Sequence, residues 1–307
     1  MKKPSLLSKH LLKIALVLLS PMLISVLSCN GKKESGAKVE VRKITVAVRQ
    51  DYIPYAYVDE SGKLTGYEYD ILRAAEKFLP QYKFEYFATG QEDALLGLET
   101  GRNQIVVSGL FSNPTRVAKY GIPKNPESAT VTGFYVNAKY KDKLQGWNKE
   151  DGYSDIFYNN LKVAPIFGAG GILGIAEEYN RKNPDRKISY ETGSTRIPST
   201  EFFAWVLEGR YDAVLGNESS FWQTYNLDGK INSSGTPDPN YKDKLIFVPT
   251  YSIGVWPFFN KNETQLIEDY NKAFEELYKN GTVKTLQEKY FGKEVLSGLR
   301  EHEKIRF

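Results

Sequence analysis

One arginine of the sequence stands at the start of a short predicted helix, directly after an apolar strand. The segment IVVSGLFSNPTRVAKYG covers residues 105–121, and its strand pattern is broken by Asn113 and Pro114. Asparagine is a good N-cap and proline suits the first helical position, so a helix is predicted to begin at Pro114. Helical side chains lean towards the helix N-terminus, which places Arg116 over the preceding loop. A guanidinium and backbone N–H groups there could bind a carboxylate; a solvated surface arginine is the alternative.

The strand before this loop ends in two residues that could contact a ligand. The predicted strand QIVVSG spans 104–109 and is apolar until Ser108 and Gly109, which is typical of a parallel sheet covered on both faces. Ligands of such sheets bind outside the carboxyl ends of the strands. The Ser108 hydroxyl and the backbone of Gly109 are therefore predicted ligand contacts; alternatively, both are simple turn formers.

A glycine-rich turn connects a later strand to a helix. The sequence IFGAGGILG covers residues 166–174, and a helical pattern follows near 170–182. Its glycines hint at a dinucleotide-binding loop, but Gly174 stands one place too late for the G-x-G-x-x-G spacing. Backbone N–H groups at a helix start can also bind a carboxylate, and a tight turn without a ligand fits the same residues.

The first 28 residues have the pattern of an export signal. Lysines precede an apolar run at 14–19, and small residues precede Cys29, the single cysteine of the chain. The sequence LSC that ends at Cys29 resembles a bacterial lipobox, so this cysteine is predicted to be lipidated after cleavage. An ordinary signal followed by a chance cysteine is the alternative. Residues 29–43 are predicted to be the lipidated cysteine and a flexible tether at a membrane surface.

The charge of the mature chain argues against nucleic acid as a partner. The full sequence has 41 basic and 37 acidic residues, but four of its lysines lie in the predicted signal, which leaves 37 of each sign. A near-neutral protein lacks the basic face that phosphate backbones require. One cysteine also excludes an internal disulfide, so stability must come from a hydrophobic core.

No catalytic or metal-binding constellation stands out in the sequence. The two histidines are His10, in the predicted signal, and His302, beyond the last motif, so neither fits a triad or a metal cluster. Neither a G-x-S-x-G elbow nor a P-loop occurs. The sequence therefore predicts a protein that is not an enzyme, with no catalytic residue, no metal and no cofactor.

Strand and helix patterns alternate in two blocks. One block begins at Ile44, and a second follows a polar insert at 140–155; extended stretches at 130–139 and 244–258 join them. Two further helices are predicted at 263–281 and 282–292. This alternation predicts two α/β lobes with parallel-rich sheets, whose strand ends face one cleft. The predicted strands of the second block are 161–167, 187–191 and 211–216.

Four segments in order resemble the bacterial extracellular solute-binding proteins of family 3, the polar amino-acid type. These segments are ITVAVRQDYIPYAYVDESGKLTGYEYDILRAAEKF, LETGRNQIVVSGLFSNPTRVAKYG, LEGRYDAVLGN and YKNGTVKTLQEKYFG, and together they span Ile44 to Gly292. The resemblance implies an α/β, two-lobed periplasmic-binding-protein type II fold, the Venus flytrap, with two hinge strands. The implied layout places lobe 1 at 44–133 plus 252–292, lobe 2 at 134–251 and a C-terminal tail at 293–307.

The resemblance also assigns roles to individual residues. Arg116 falls on the family's carboxylate-binding arginine, and Tyr52 on the aromatic residue that lies over the aliphatic part of the ligand. Gly170 falls in the anion-binding loop of the second lobe, where Ala169 and Gly170 replace the usual threonines.

Two departures from the family pattern leave the identity of the ligand open. Phe111 stands where the family usually has Ser or Thr, so it could narrow the pocket or face the core. Asn217 replaces an aspartate that commonly pairs with the ligand's ammonium, although it could also be a helix N-cap. Either the neighbouring Glu218 or another acid supplies the missing charge, or the ligand is not a standard α-amino acid.

The function implied by the resemblance is delivery of a small carboxylate-bearing solute, an amino acid or a related compound, to an ABC importer. The expected partners are this ligand, the permease subunits and a membrane reached through the lipid anchor. The protein is expected to be a monomer in the cell envelope, outside the cytoplasm. Two alternatives stay open: a cyclohexadienyl or arogenate dehydratase on the same fold, with Glu218 as general acid, and a ligand-sensing lipoprotein.

Overall fold

The computed structural model describes residues 41–144, 161–167, 171–187, 189–193, 199–218, 244–299 and 305 of the chain. Its strands are β1 (Arg42–Arg49), β2 (Asp51–Tyr52), β3 (Ala56–Val58), β4 (Leu64–Thr65), β5 (Tyr82–Thr89), β6 (Ile105–Leu110), β7 (Ser128–Asn137), β8 (Ile166–Phe167), β9 (Thr192–Gly193), β10 (Ala213–Asn217) and β11 (Leu245–Phe259). Its α-helices are α1 (Tyr67–Ala75), α2 (Gln91–Thr100), α3 (Pro114–Lys119), α4 (Gly171–Lys182), α5 (Ser199–Leu207), α6 (Thr264–Lys279) and α7 (Thr282–Phe291). Short 3₁₀ segments lie at Glu76–Phe78, Ala138–Leu144, Pro184–Arg186 and Leu296–Gly298.

Six of these strands form a mixed sheet in the order β10-β7-β11-β6-β1-β5. Strand β1 is parallel to β5 and to β6, with Val46 opposite Ile105 in the second pair. Val46, Ala47 and Val48 are all fully buried. A run of consecutive buried residues is expected for a parallel strand that is covered on both faces. The α/β architecture predicted from the sequence is confirmed.

Two long antiparallel strands continue this sheet towards β10. Strand β11 pairs with β6 near its carboxyl end and with β7 along the rest of its length. The ladder between β7 and β11 shifts register between Pro249 and Ser252. Gly133 lies opposite Pro249, and a Cβ at Gly133 would lie 2.4 Å from the carbonyl oxygen of Val248. The two strands therefore approach closely at the point where their pairing changes.

The C-terminal helices pack back onto the first part of the chain. Helix α6 buries Leu266, Tyr270 and Phe274, which share one helical face. On α7, the ring of Phe291 lies 5.0 Å from the ring of Tyr67 in α1, centroid to centroid. Both C-terminal helices thus contribute to the core that covers β1.

The second block of strands is shorter than predicted. The strand predicted at 187–191 is wrong for its described residues, 187 and 189–191, because β9 begins only at Thr192. Its partner β8 has two residues, so the ladder is limited to two pairs, beginning with Ile166 opposite Thr192. The strand predicted from 161 is likewise reduced to β8 and one isolated bridge between Val163 and Ala213.

Several sequence predictions fall outside the described residues. They are the signal at 1–28, Cys29, the tether up to residue 40, Gly170 and most of the polar insert. Residues 40–307 belong to one compact unit. Among the helices that the structure describes, none combines the length and the apolar character that a bilayer-spanning helix needs.

Candidate functional site

Helix α3 begins as its sequence predicts. The side chain of Asn113 accepts a hydrogen bond from the backbone N–H of Arg116 at 2.9 Å, and Pro114 occupies the first helical position. The cap satisfies one of the backbone donors that every helix start leaves open. Arg116 is the third residue of this six-residue helix, so it lies close to the loop that precedes the helix.

The guanidinium of Arg116 is buried over this loop. Only 8% of Arg116 is exposed, and its Nη1 donates to the carbonyl oxygen of Phe111 at 2.6 Å. Its Cζ lies 5.5 Å from the ring centroid of Phe258. No acidic side chain in the described ranges pairs with it, and burial lowers the pKa of Arg116 to about 10. Arg116 is therefore a buried cation that lacks a counter-charge from this part of the chain, not a solvated surface residue.

Tyr52 is held among other side chains. Its ring stacks on that of Tyr55, with centroids 5.1 Å apart and an interplanar angle of 17°. The Cζ of Arg49 lies 4.4 Å from the centroid of the same ring. The hydroxyl of Tyr52 accepts a hydrogen bond from Nδ2 of Asn217 at 3.1 Å. Two residues predicted to contact the ligand thus contact each other.

Gly109 lies against the same tyrosine, and Ser108 precedes it on β6. Gly109 has a positive φ of 62°, and a Cβ added to it would lie 2.0 Å from Cε1 of Tyr52. Its backbone N–H donates to Oε2 of Glu68 at 2.6 Å, so this N–H is directed into the protein. Ser108 is fully buried, and its hydroxyl has no hydrogen-bond partner among the described residues. The hydroxyl therefore stays available at this position.

Asn217 ends strand β10, and Glu218 follows it directly. The backbone carbonyls of both accept hydrogen bonds from the hydroxyl of Tyr135, at 2.7 and 3.0 Å. The Oε2 atom of Glu218 lies 3.5 Å from Nζ of Lys293. The carboxylate of Glu218 thus has a basic partner, whereas Arg116 has no acidic one in the described residues.

The fold brings most of the predicted site residues together. Tyr52 contacts both Gly109 and Asn217. Arg116 is bonded to the carbonyl of Phe111, the residue that follows β6. Phe111 itself is part of the hydrophobic core, which decides between the two orientations that the sequence left open. Gly170 lies outside the described residues.

The first turn of α4 approaches the start of α3. A Cβ added to Gly174 would lie 3.4 Å from Nδ2 of Asn113. The glycine-rich turn therefore ends beside the loop that holds Arg116. Within the described ranges, no group of three or more His, Cys, Asp or Glu side chains is arranged to hold a metal ion.

The family model for bacterial extracellular solute-binding proteins, family 3, matches residues 44–293. The chain belongs to this family. The match includes strands β7 and β11, Tyr52 with its contacts Gly109 and Asn217, and the segment that carries Arg116. The recognition made from four sequence segments is confirmed.

Similar proteins agree with this family 3 assignment. The probable amino-acid-binding protein YxeM of Bacillus subtilis is 26% identical over 280 residues, which cover 91% of this chain and 95% of YxeM. The L-cystine-binding protein TcyK of the same organism is 26% identical over 274 residues, which cover 88% and 92% of the two chains.

A solved structure shows the fold. It comes from work on glutathione import through GshT and the cystine ABC importer TcyBC of Streptococcus mutans, and it matches with a TM-score of 0.62 and 19% identity. The match covers 86% of this chain and 99% of the other. The family 3 chain has the two-lobed periplasmic-binding-protein type II fold that its sequence predicted.

Sequence reasoning missed two residues of this family 3 protein. Glu68 lies on α1 and Glu127 just before β7, and both are fully or almost fully buried beside Gly109 and Tyr270. The signal for Glu68 was present, because it shares the helical spacing of the buried residues Ile71 and Leu72. An acid on the apolar face of a helix indicates a buried partner, because charged side chains are almost never fully buried unless they are paired.

Proposed function

We propose that this family 3 protein binds a small carboxylate-bearing solute through Arg116 and delivers it to an ABC importer. The observation that carries the proposal is the buried guanidinium without an acidic partner in the described residues. A buried charge is costly unless it is paired. The carboxylate of a bound solute supplies the missing charge, and the planar fork of arginine matches it.

The position of the guanidinium supports the same role. The bond from Nη1 to the carbonyl of Phe111 fixes the plane of the guanidinium, which leaves its other nitrogen atoms for a ligand. The hydroxyl of Ser108, on β6 before the loop that holds Arg116, is proposed to donate to the same carboxylate. Backbone N–H groups at Gly170 are proposed as a further contact.

The opposite side of the ligand is assigned to Tyr52, Asn217 and Glu218. With the proposed lobe boundaries, 44–133 plus 252–292 and 134–251, Tyr52 lies on one lobe and Asn217 on the other. A ligand that enters between them replaces the hydrogen bond between their side chains. Glu218 follows Asn217 directly in the chain, and it is proposed to exchange its partner Lys293 for an ammonium of the ligand.

The ligand is proposed to be an amino acid or a related compound such as cystine. Support comes from the relatives, because YxeM is described as amino-acid-binding and TcyK as L-cystine-binding. Delivery to an importer is supported by the solved structure that concerns a cystine ABC importer. The protein is proposed to act as a monomeric binding protein rather than an enzyme, anchored outside the cytoplasm by a lipid on Cys29.

Isothermal titration and thermal-shift measurements test this proposal. The chain without its signal is unfolded, freed of bound solute and refolded, and then mixed with amino acids, cystine, glutathione and amines that lack a carboxylate. A true ligand at 100 times its dissociation constant is expected to add about 2.7 kcal/mol to the free energy of unfolding. Amines without a carboxylate should add nothing.

Further outcomes address the alternatives. A best ligand without a carboxylate, or full binding by Arg116→Ala, would overturn the proposed role of the guanidinium. Turnover of prephenate or arogenate by the same preparation would favour the dehydratase alternative. Uptake by a reconstituted permease and its ATPase separates delivery to an importer from sensing, because a sensor binds its ligand without supporting uptake.

A further inference from the structure

Two buried acidic side chains meet beside Gly109, near the end of β6. Glu68 is fully buried, and Glu127 is 1% exposed. Their carboxyl groups lie within hydrogen-bonding reach of each other, although the residues are far apart in the sequence. Neither forms an ion pair with a lysine or arginine in the described residues. Two ionised carboxylates in this position would repel each other without compensation.

In each carboxyl group of the pair, one oxygen atom accepts a hydrogen bond and the other does not. Oε2 of Glu68 accepts the N–H of Gly109 at 2.6 Å, and Oε2 of Glu127 accepts the hydroxyl of Tyr270 at 2.6 Å. The other oxygen of each carboxyl group, Oε1, is buried and accepts no hydrogen bond from the described residues. One proton held between the two carboxyl groups supplies the missing donor.

We propose that Glu68 and Glu127 share one proton, and that this pair fixes the peptide group of Gly109 beneath the ligand site. Glu68 is then a positioning residue, because it acts on the site through the Gly109 N–H and does not touch the solute. Only this last role rests on the proposed function. Gly109 in turn packs against the ring of Tyr52, which ties the pair to the contact between Tyr52 and Asn217.

The surroundings of the pair favour one proton rather than none. On β1, Arg49 favours the ionised form of Glu68, but its guanidinium is bonded to Asp51 and Gln91. In the described part of the chain, the other groups that face the pair are neutral: the hydroxyls of Tyr55, Tyr67 and Tyr270, and the amide of Gln287 behind Tyr67.

The pKa values of the pair follow from this environment. Burial raises the pKa of Glu68 to about 7. Burial, and then the neighbouring Glu68, raise the pKa of Glu127 well above its ordinary value. The two groups titrate as a unit, so the retained proton belongs to both carboxyls.

The sign of the pH dependence is fixed by these directions. An unfolded chain releases the proton near a pKa of about 4.3, whereas the folded pair keeps it to about pH 7 or above. The contribution of the shared proton to folding is therefore complete below about pH 4.3 and is lost as the pH rises through the folded pKa. Between pH 5 and 8, the native protein should lose stability as the pair gives up its proton.

Infrared spectroscopy and thermal unfolding of the ligand-free protein test the shared proton. At pH 6 the wild type is expected to show the carbonyl band of a buried protonated carboxyl group, and the double variant Glu68→Gln/Glu127→Gln is expected to lack it. The amide of Glu127→Gln donates to Glu68 at every pH, so the fall in melting temperature between pH 5 and 8 should become shallower. The exposed Glu92→Gln serves as a matched control and should keep the wild-type band and slope. Absence of the band in the wild type, or an unchanged slope in Glu127→Gln, would overturn the shared proton.

Hydrogen exchange at the Gly109 amide tests the positioning role. Glu68→Ala removes the acceptor and should accelerate exchange at least tenfold, whereas Glu68→Gln keeps an acceptor and should stay within about threefold of the wild type. If Glu68→Ala does not fold, the wild type is measured instead. The role is supported if exchange at the Gly109 amide above pH 8 is faster than the intrinsic rise of the exchange rate with pH explains. Exchange that Glu68→Ala leaves unaltered, or that follows only the intrinsic rise, rejects it. Both measurements use ligand-free protein, so their failure is separate from a failure to bind a solute.

Discussion

Nδ2 of Asn217 donates a hydrogen bond to the hydroxyl of Tyr52 at 3.1 Å, and the two residues stand 165 positions apart in the chain. Each is a residue that the sequence predicted to meet the ligand. Their bond means that the polar groups of the site are partly satisfied by the protein itself. A solute gains only the difference between its own contacts and those that it replaces.

A double-mutant cycle measures this bond. Tyr52→Phe and Asn217→Ala should each lower the free energy of unfolding of the ligand-free protein, and the double variant should lose less than their sum. The coupling energy is expected to be about 0.5 to 1.5 kcal/mol, the net contribution of an ordinary hydrogen bond. Chemical denaturation monitored by tryptophan fluorescence gives the four values.

The control cycle combines Asn217→Ala with Tyr82→Phe. Tyr82 donates to Asp269 at 2.8 Å and belongs to a different set of contacts. These two changes should therefore be additive. A coupling energy near zero for Tyr52 and Asn217, or an equal one in the control, would show that the bond does not contribute in solution.

Substitution of Arg116 should separate charge from geometry in ligand binding. Arg116→Ala removes both, and the loss of about 3 kcal/mol from charge-assisted bonds corresponds to an affinity at least about 100-fold lower. Arg116→Lys keeps a charge but loses the planar fork, so an intermediate affinity is expected. Titration calorimetry with the identified ligand gives the constants.

Lys119→Ala is the matched control for these variants. Lys119 lies on the same helix, but it is exposed and paired with Glu99. Its removal should leave the affinity within about twofold of the wild type, since exposed ion pairs contribute little. Equal effects of Lys119→Ala and Arg116→Ala would point to general electrostatic attraction instead of a specific contact.

Substitution of Gly109 should damage both the fold and the site. An alanine there carries about 1 to 2 kcal/mol of backbone strain at positive φ, and its Cβ overlaps the ring of Tyr52. Gly62→Ala provides a comparison, because Gly62 also has a positive φ but no atom within 4 Å of an added Cβ. Thermal unfolding should show a clearly larger loss for Gly109→Ala.

Ligand affinity distinguishes the two glycine variants further. Gly62→Ala should bind as the wild type does, whereas Gly109→Ala displaces Tyr52 and should bind at least tenfold more weakly. Equal losses of stability in the two variants would mean that the ring of Tyr52 is not held against Gly109.

Replacement of Cys29 tests the proposed anchor. The wild type, expressed in a bacterium that processes lipoproteins, should be recovered with the membrane fraction, and Cys29→Ser should be recovered in the soluble fraction of the envelope or the medium. Mass spectrometry of the wild-type N-terminus should find acyl groups on Cys29. A wild type without acyl groups, cleaved at another position, would contradict the lipobox interpretation.

The sequence predicted the parts of the site that depend on local rules. Asn113 and Pro114 define a helix start by their own chemistry, and the structure places the cap and Arg116 where those rules require. The fold class followed from the alternation of strands and helices, because periodicity is a local property of each element. Strands of two or three residues, such as β2 to β4 and β9, carry no measurable period and were missed or misplaced.

Contacts between distant residues could not be predicted in this way. The residues near Glu127 in the sequence do not predict its contact with Glu68 on α1, and those near Tyr52 do not predict its contact with Asn217. The orientation of Phe111 was equally open, because an aromatic residue at that position suits a pocket wall and a core. Such pairings are decided by how the elements pack, which a single sequence does not specify.

The contact between Arg116 and position 111 has an evolutionary consequence. The acceptor is a main-chain oxygen, so it is present whichever amino acid occupies that position. The chain can therefore exchange a hydroxyl-bearing residue for phenylalanine and still aim its cation in the same direction. A substitution at residue 111 therefore changes the packing of the core beside the site, while the main chain keeps the anchoring charge in place.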